Sequence, residues 1–204
     1  HGEIGTAADS VVVVDRFVPP ALDAILARLA EATLRFERHF DNDLFAQGWT
    51  FVESEHARIQ SAAREGGTGP AMQAAFGRLC HAVQDFYSHS NYVQLWLDEH
   101  GGFDHVNPDD IDPLDGALLR HRQLRSGHFK LWRDLPFHFK QTRGLMRRLW
   151  VPAGSHEAMN LDHPGRGPLF PYSLAAARKR TRSEFERVRR DLSRPSLARF
   201  LGRN

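Results

Sequence analysis

Cysteine is almost missing from this chain, with one residue in 204, and lysine occurs only at 130, 140 and 179. A lone Cys excludes an internal disulfide framework and any cysteine-rich zinc knuckle. No apolar run approaches the ~18–20 residues that a membrane span needs. No internal repeat is present, and no alternating strand pattern extends beyond the short run at Val11–Val14. Against these absences stand 12 His. A metal, if held, is therefore held by imidazole and carboxylate.

The 41% hydrophobic and 25% charged content suits a globular domain that buries a core. The length predicts one domain over residues 1–204. The formal charge of +2 is unevenly spread. Ten Arg/Lys in 178–204 face only Glu184, Glu186 and Asp191, a local balance of +7 on an otherwise acidic chain. Such a tail reads first as the solvated face of an amphipathic helix, and otherwise as a surface for phosphate or anionic lipid. The sequence opens at His1 without a signal peptide and fixes no location. A secreted or membrane-peripheral protein fits it.

Periodicity predicts helices over about 20–40, within 50–64, over 71–97, around 117–150 with a break near Pro136, and over 172–192. Arg64-Glu-Gly-Gly-Thr-Gly-Pro70 is a breaker, and acidic 98–116 and Pro/Gly-rich 151–171 read as loops. In the long helix Met72, Phe76, Leu79, Val83 and Phe86 form one apolar stripe. In the last helix Leu174, Thr181, Phe185, Val188 and Leu192 form the expected inner face. The class is all-α: a multi-helix bundle with a central long helix.

That central helix carries the most informative residues. His81, Asp85 and His89 are spaced i, i+4, i+8. With Leu79 at zero they fall at roughly 200°, 240° and 280°, away from the apolar stripe. The helix thus buries two faces, one of them ligand-rich. Neighbours four apart can share one ion, but His81 and His89 stand about 12 Å apart along the axis, too far to share it. Asp85 lies between them with two oxygens and can bridge. At least two metals in a row are expected, and imidazole with carboxylate and no thiolate favours zinc over manganese or iron.

His81-Ala-Val-Gln-Asp85-Phe-Tyr-Ser-His89-Ser-Asn91 resembles the signature of the Het-C family of heterokaryon-incompatibility proteins. That family is similar to zinc-dependent phospholipase C and the single-strand zinc nucleases. His1-Gly-Glu-Ile4, His39-Phe-Asp-Asn42 and His156-Glu-Ala-Met-Asn-Leu-Asp-His-Pro-Gly-Arg166 resemble further segments of it, in family order. The resemblance implies one zinc on His39, His81 and Asp85, a second bridged by Asp85 and taking His1, and a third on His89 with His156 and Asp162. Two or three Zn2+ are expected, with Asp85 also orienting the attacking water.

The implied activity is hydrolysis of a phosphoric ester by metal-activated water, on a phospholipid or another phosphodiester. A nuclease with the same metals is the second expectation, and a non-catalytic, metal-stabilised module with membrane contact the third. No Ser or Cys nucleophile is needed. Asn91, Gln84 and Asp41 are expected to fix the ligating imidazoles. Tyr87, Tyr92 and Trp96 line a cleft or belong to the core. His56 reads as surface, and His100 and His105 as parts of a solvated rim loop. His121 and His138 carry no claim, while His128 is a reserve ligand. Arg166 meets a phosphate or braces its own loop.

Overall fold

Residues 36–128, 144–145 and 151–203 are described by the computed structural model, and the helices below are numbered within them. Helix α1 (Phe45–Arg64) buries Gly48, Val52, Glu55, His56 and Ile59, the recurrence of one helical face. It ends where the sequence turns to glycine: Gly66 adopts φ 72°, a left-handed conformation that costs glycine little. Helix α2 (Gly69–His89) starts with Pro70 in its first turn. Met72, Phe76, Leu79, Val83 and Phe86 are all buried, as the stripe predicted.

The expected helix over 71–97 is two helices, α2 and α3 (Tyr92–Glu99). The break falls at Ser90, whose backbone is extended and bridges antiparallel to Ser126. Ser90 Oγ donates back to the Phe86 carbonyl, and the Asn91 N–H donates to the Arg125 carbonyl at 3.0 Å. Asn91 locks the junction by donating to Gln123 O at 2.8 Å and accepting from the Arg125 N–H at 2.7 Å. Side chains that compete for backbone groups end the helix where hydropathy alone would extend it.

Beyond α3 the chain runs through 3₁₀ turns at Pro108–Asp110 and Leu118–Arg120. Residues 121–128 are not helical, which corrects the first part of the stretch expected over 117–150. Extended pairing replaces it, through the Ser90–Ser126 bridge and a parallel bridge of His128 with Ser155. Among the described residues from 151 onward the helices are α4 (His156–Met159), α5 (Phe170–Asp191) and α6 (Arg194–Phe200). No strand forms among the described residues, and the fold is an all-α bundle. The helix expected over 20–40 lies outside the described residues except for a 3₁₀ turn at Phe36–His39. Val11–Val14 and Pro136 also lie outside them.

Helices α1, α2 and α5 enclose one core. Phe40, Trp49, Phe86, Tyr87 and Tyr92 form its aromatic centre, with ring centroids 4.7–5.6 Å apart in successive edge-on or tilted contacts. Tyr87 donates to Pro113 O and Tyr92 to Asp112 O, so both tyrosines and the buried Trp96 are core residues and not a cleft lining. Leu174 departs from the inner face expected of α5, standing 45% exposed. The buried face consists of Tyr172, Ser173, Ala175, Ala176, Ala177, Arg180, Glu184 and Val188. Small alanines let α5 approach α2 closely, and Arg180 is buried because Glu184 pairs with it at 2.6 Å. His56 is likewise buried and not surface, with Nε2 3.4 Å from Asp191.

Candidate metal centre

The residues between the first 3₁₀ turn and α1 follow an unusual course. Phe40, Asn42 and Asp43 have φ of 55°, 57° and 59°. Left-handed backbone at a non-glycine residue costs about 1–3 kcal/mol and persists only where its surroundings hold it. Phe40 is fully buried in the aromatic centre. Asn42 N–H donates to Gly127 O at 3.0 Å. Asp43 and Ser126 clasp each other through Asp43 N–H to Ser126 Oγ at 2.8 Å and Ser126 N–H to Asp43 Oδ1 at 2.6 Å. The side chains on either side of Phe40, His39 and Asp41, are thereby delivered to α2.

His39 Nδ1 lies 2.6 Å from Asp85 Oδ2, and His81 Nε2 lies 3.2 Å from the same oxygen. The two imidazoles meet edge-on with centroids 5.1 Å apart. One ligand atom from each of His39, His81 and Asp85 falls within 4.8 Å of the others. Tetrahedral zinc with bonds of about 2.0–2.1 Å separates its ligand atoms by roughly 3.3 Å, and the two separations to Asp85 Oδ2, 2.6 Å and 3.2 Å, lie within an ångström of it. The group is open on one side, since the His81 side chain is 44% exposed.

A second trio lies one helical turn further along α2. Asp41, His89 and His156 again place one ligand atom each within 4.8 Å. His156 Nδ1 is 3.0 Å from Asp41 Oδ1, His89 Nδ1 is 3.9 Å from it, and the His89 and His156 rings are 4.3 Å apart. This trio is the more enclosed: Asp41 and His89 are each 5% exposed, and the His156 side chain is 20% exposed. His89 Nδ1 is fully buried with no hydrogen-bond partner. A buried nitrogen left unbonded is costly unless something else accepts its lone pair, and a cation between Asp41 and His156 would do so.

The far nitrogen of His89 explains the tautomer. Nε2 lies 3.3 Å from Asp162 Oδ1, and Asp162 is held by Asn160 Nδ2 at 2.6 Å. A carboxylate that takes Nε2–H leaves Nδ1 as the free donor, the carboxylate–histidine–metal arrangement. Asp162 thus stands behind His89 and outside both trios, while Asp41 stands inside one. Of the three residues expected to orient imidazoles, Gln84 instead donates to Thr181 Oγ1 at 3.0 Å and Asn91 braces the α2–α3 break.

Charges across the two groups are strongly coupled. Burial opposes a charged His39, but the Asp85 hydrogen bond and the charges of Asp85 and Asp41 overcome it and raise its pKa. Burial opposes a charged His89 too, yet Asp162, Asp85 and Asp41 push it up to about 10. The carboxyls move the other way. Burial alone would raise Asp85, but His81, His39 and His89 hold it below its ordinary value. Asp162 is held well below the carboxylate range by His89 and Asn160 against the same burial effect.

The expected ligands are thus brought together in part. His39, His81 and Asp85 form one trio, and His89 and His156 share the other. His1 lies outside the described residues, as does His138. His128 Nε2 lies 3.1 Å from Asp43 Oδ2 and belongs to neither trio. Arg166 donates to Glu157 O at 3.1 Å and Glu157 Oε1 at 2.8 Å, bracing its loop. Asp41 had a signal in the sequence, two residues after His39, but only the left-handed backbone turns that spacing into convergence.

Gly127 is the residue the sequence did not flag at all. Its N–H donates to His89 O at 2.8 Å and its carbonyl accepts from Asn42, tying the end of α2 to the loop that carries Asp41. A Cβ there would lie 2.6 Å from the His156 backbone Cα. Gly127→Ala is expected to displace His156, to cost about 1–3 kcal/mol by overpacking, and to lower bound metal by one equivalent. Urea denaturation and elemental analysis check the two effects.

A family model described as the VWA7 N-terminal domain matches residues 23–104, which include His39, Asp41, His81, Asp85 and His89. No curated protein and no solved structure matches the chain. The match corrects the resemblance drawn from the sequence: the family found is not Het-C, nor the zinc-dependent phospholipase C and nuclease superfamily. Of the strings quoted for that resemblance only His81 to His89 lies on a regular helix, and the i, i+4 spacing there is one that any helix presenting polar residues along one face satisfies, whatever its family. The chain is similar over residues 23–104 to the VWA7 N-terminal domain.

Proposed function

We propose that this chain binds zinc at two adjacent His/Asp groups and hydrolyses phosphoric esters at the open one. The observation that supports this reading is the contrast between the trios. Structural zinc sites are closed, whereas catalytic sites take three protein ligands and keep a position open. Asp41, His89 and His156 also number three, so this group is set apart by burial and not by a fourth ligand: Asp41 and His89 are each 5% exposed. His39, His81 and Asp85 fit the catalytic description, with two imidazoles and one carboxylate on a partly exposed face.

When bound, zinc supplies an activated water and a Lewis acid for phosphoryl oxygen. The chain's own residues supply the rest. Asp85 fixes both imidazoles through one oxygen and can orient the water through the other. His81, at the solvent edge of α2, sets the side from which an ester approaches. Asp162 holds the tautomer of His89 in the closed group. A second reading, a metal-stabilised module without turnover, draws on the deep burial of that closed group.

Elemental analysis of chelator-free protein is expected to find two zinc per chain, and less than one overturns the reading. The zinc-loaded chain is expected to cleave a chromogenic phosphodiester. Two equivalents of metal without cleavage of that ester or of single-stranded DNA supports the module instead.

Metal binding should also release protons. His89 is raised to about 10, so its imidazole holds at neutral pH a proton that a metal must displace, and His39 is raised in the same direction by Asp85 and Asp41. The apparent affinity therefore rises with pH, by up to about tenfold per pH unit for each displaced proton. Calorimetric titrations in buffers of different ionisation enthalpy count those protons, and a count near zero contradicts the ligand assignment.

A further inference from the structure

Phe40 stands between the two groups, since His39 belongs to the open trio and Asp41 to the closed one. We propose that Phe40 is a positioning residue through which the two trios load metal as one coupled unit. The proposal rests on the reading that both trios bind metal. Four observations carry it.

Phe40 is a non-glycine residue in left-handed backbone, so the directions of its two neighbours depend on what pins it. Its ring is fully buried against Trp49 at 4.7 Å and Phe86 at 5.2 Å. Phe86 follows Asp85 and precedes His89 on α2, so the socket is built on the helix that carries the facing ligands. Gly48 completes it from α1: a Cβ there would lie 2.5 Å from the Phe40 ring. The loop therefore has one seat, and that seat sets His39 and Asp41 together.

Coupling follows from the shared seat. The seated ring lets the backbone on its two sides adjust only together, so the small shift that a metal demands of His39 or Asp41 is shared by both trios. Sharing that adjustment gives positive cooperativity, and linkage requires the effect to be reciprocal.

The test is a zinc titration of the full chain, followed by competition with a chromogenic chelator. The wild type is expected to take two equivalents in one cooperative transition. His156→Ala, which removes a ligand from the closed trio, should weaken the metal on the open trio at least tenfold. Asp85→Ala should weaken the closed trio by a similar factor. Phe40→Leu and Gly48→Ala should lower both affinities at least tenfold and abolish the cooperativity.

Phe45→Ala separates positioning from folding. Phe45 touches the same cluster, at 6.4 Å from Phe40 and 5.8 Å from Phe86, but neither of its neighbours is a ligand. It should lower the melting temperature and keep the cooperative transition. Two equivalents bound independently, or a loss confined to one trio in Phe40→Leu, would overturn the coupling and leave the metal reading intact. No bound metal in the folded wild type would overturn both.

Discussion

Replacing Asp85 with alanine is expected to cut phosphodiester turnover about a thousandfold, the scale set by losing one preorganised electrostatic group at a reacting centre. The reason is geometric. Asp85 Oδ2 meets His39 at 2.6 Å and His81 at 3.2 Å, so one carboxylate organises the whole open trio. Without it the two imidazoles lose both their anionic partner and the third ligand atom. Bound metal should fall by one equivalent at zinc concentrations that fill the closed trio. Asp85→Asn keeps the shape and loses the charge, and it should show the same metal loss.

The metal-free protein offers a second check of the same residue. Asp85 has a folded pKa below its ordinary value, so it contributes stability above its unfolded pKa and loses it as pH falls through the folded value. Asp85→Asn should therefore be less stable than wild type at pH 7, with the gap closing in acid. Gln84→Ala is the internal control. Gln84 is the preceding residue on α2, but it bonds Thr181 on α5, and its loss should leave metal content unchanged. Equal metal content in wild type and Asp85→Ala would show that the trio is only a polar cluster.

How far this centre is legible in the sequence depends on which link sets each residue's place. His81, Asp85 and His89 sit on one regular helix, where spacing converts directly to direction, and the sequence places them well. The core stripe from Met72 to Phe86 is legible for the same reason. His39 and Asp41 are different. Their convergence depends on left-handed backbone at Phe40, Asn42 and Asp43, which no hydropathy pattern encodes. Gly127 acts through its lack of a side chain, beside a backbone brought near by tertiary pairing. The break at Ser90 was hidden because the residues after it are as apolar as those before it. What ends α2 is hydrogen bonding to residues 123–126, more than 30 positions away.

The inner face of α5 misled for an electrostatic reason that yields the largest expected change in stability. Hydropathy assigns Arg180 and Glu184 to solvent, yet both are buried between α5 and its neighbours. Arg180 donates from Nε and Nη2 to Glu184 Oε1 at 2.8 Å and 2.6 Å, and its guanidinium lies 4.8 Å above the Trp49 ring. Breaking a buried pair by removing one partner costs about 3–5 kcal/mol, because the remaining charge stays buried and uncompensated. Glu184→Ala is expected to lose that amount in urea denaturation at pH 7. Replacing both partners, Arg180→Leu with Glu184→Met, should recover most of it, since apolar groups of similar volume need no partner. Arg187→Ala should cost less than about 1 kcal/mol, because its contact with Glu53 is partly exposed and screened. None of the six trio ligands lies on α5. Glu184→Ala should therefore bind two metals normally wherever it remains folded, and a loss of metal before the loss of helix would mean that α5 shapes the centre directly.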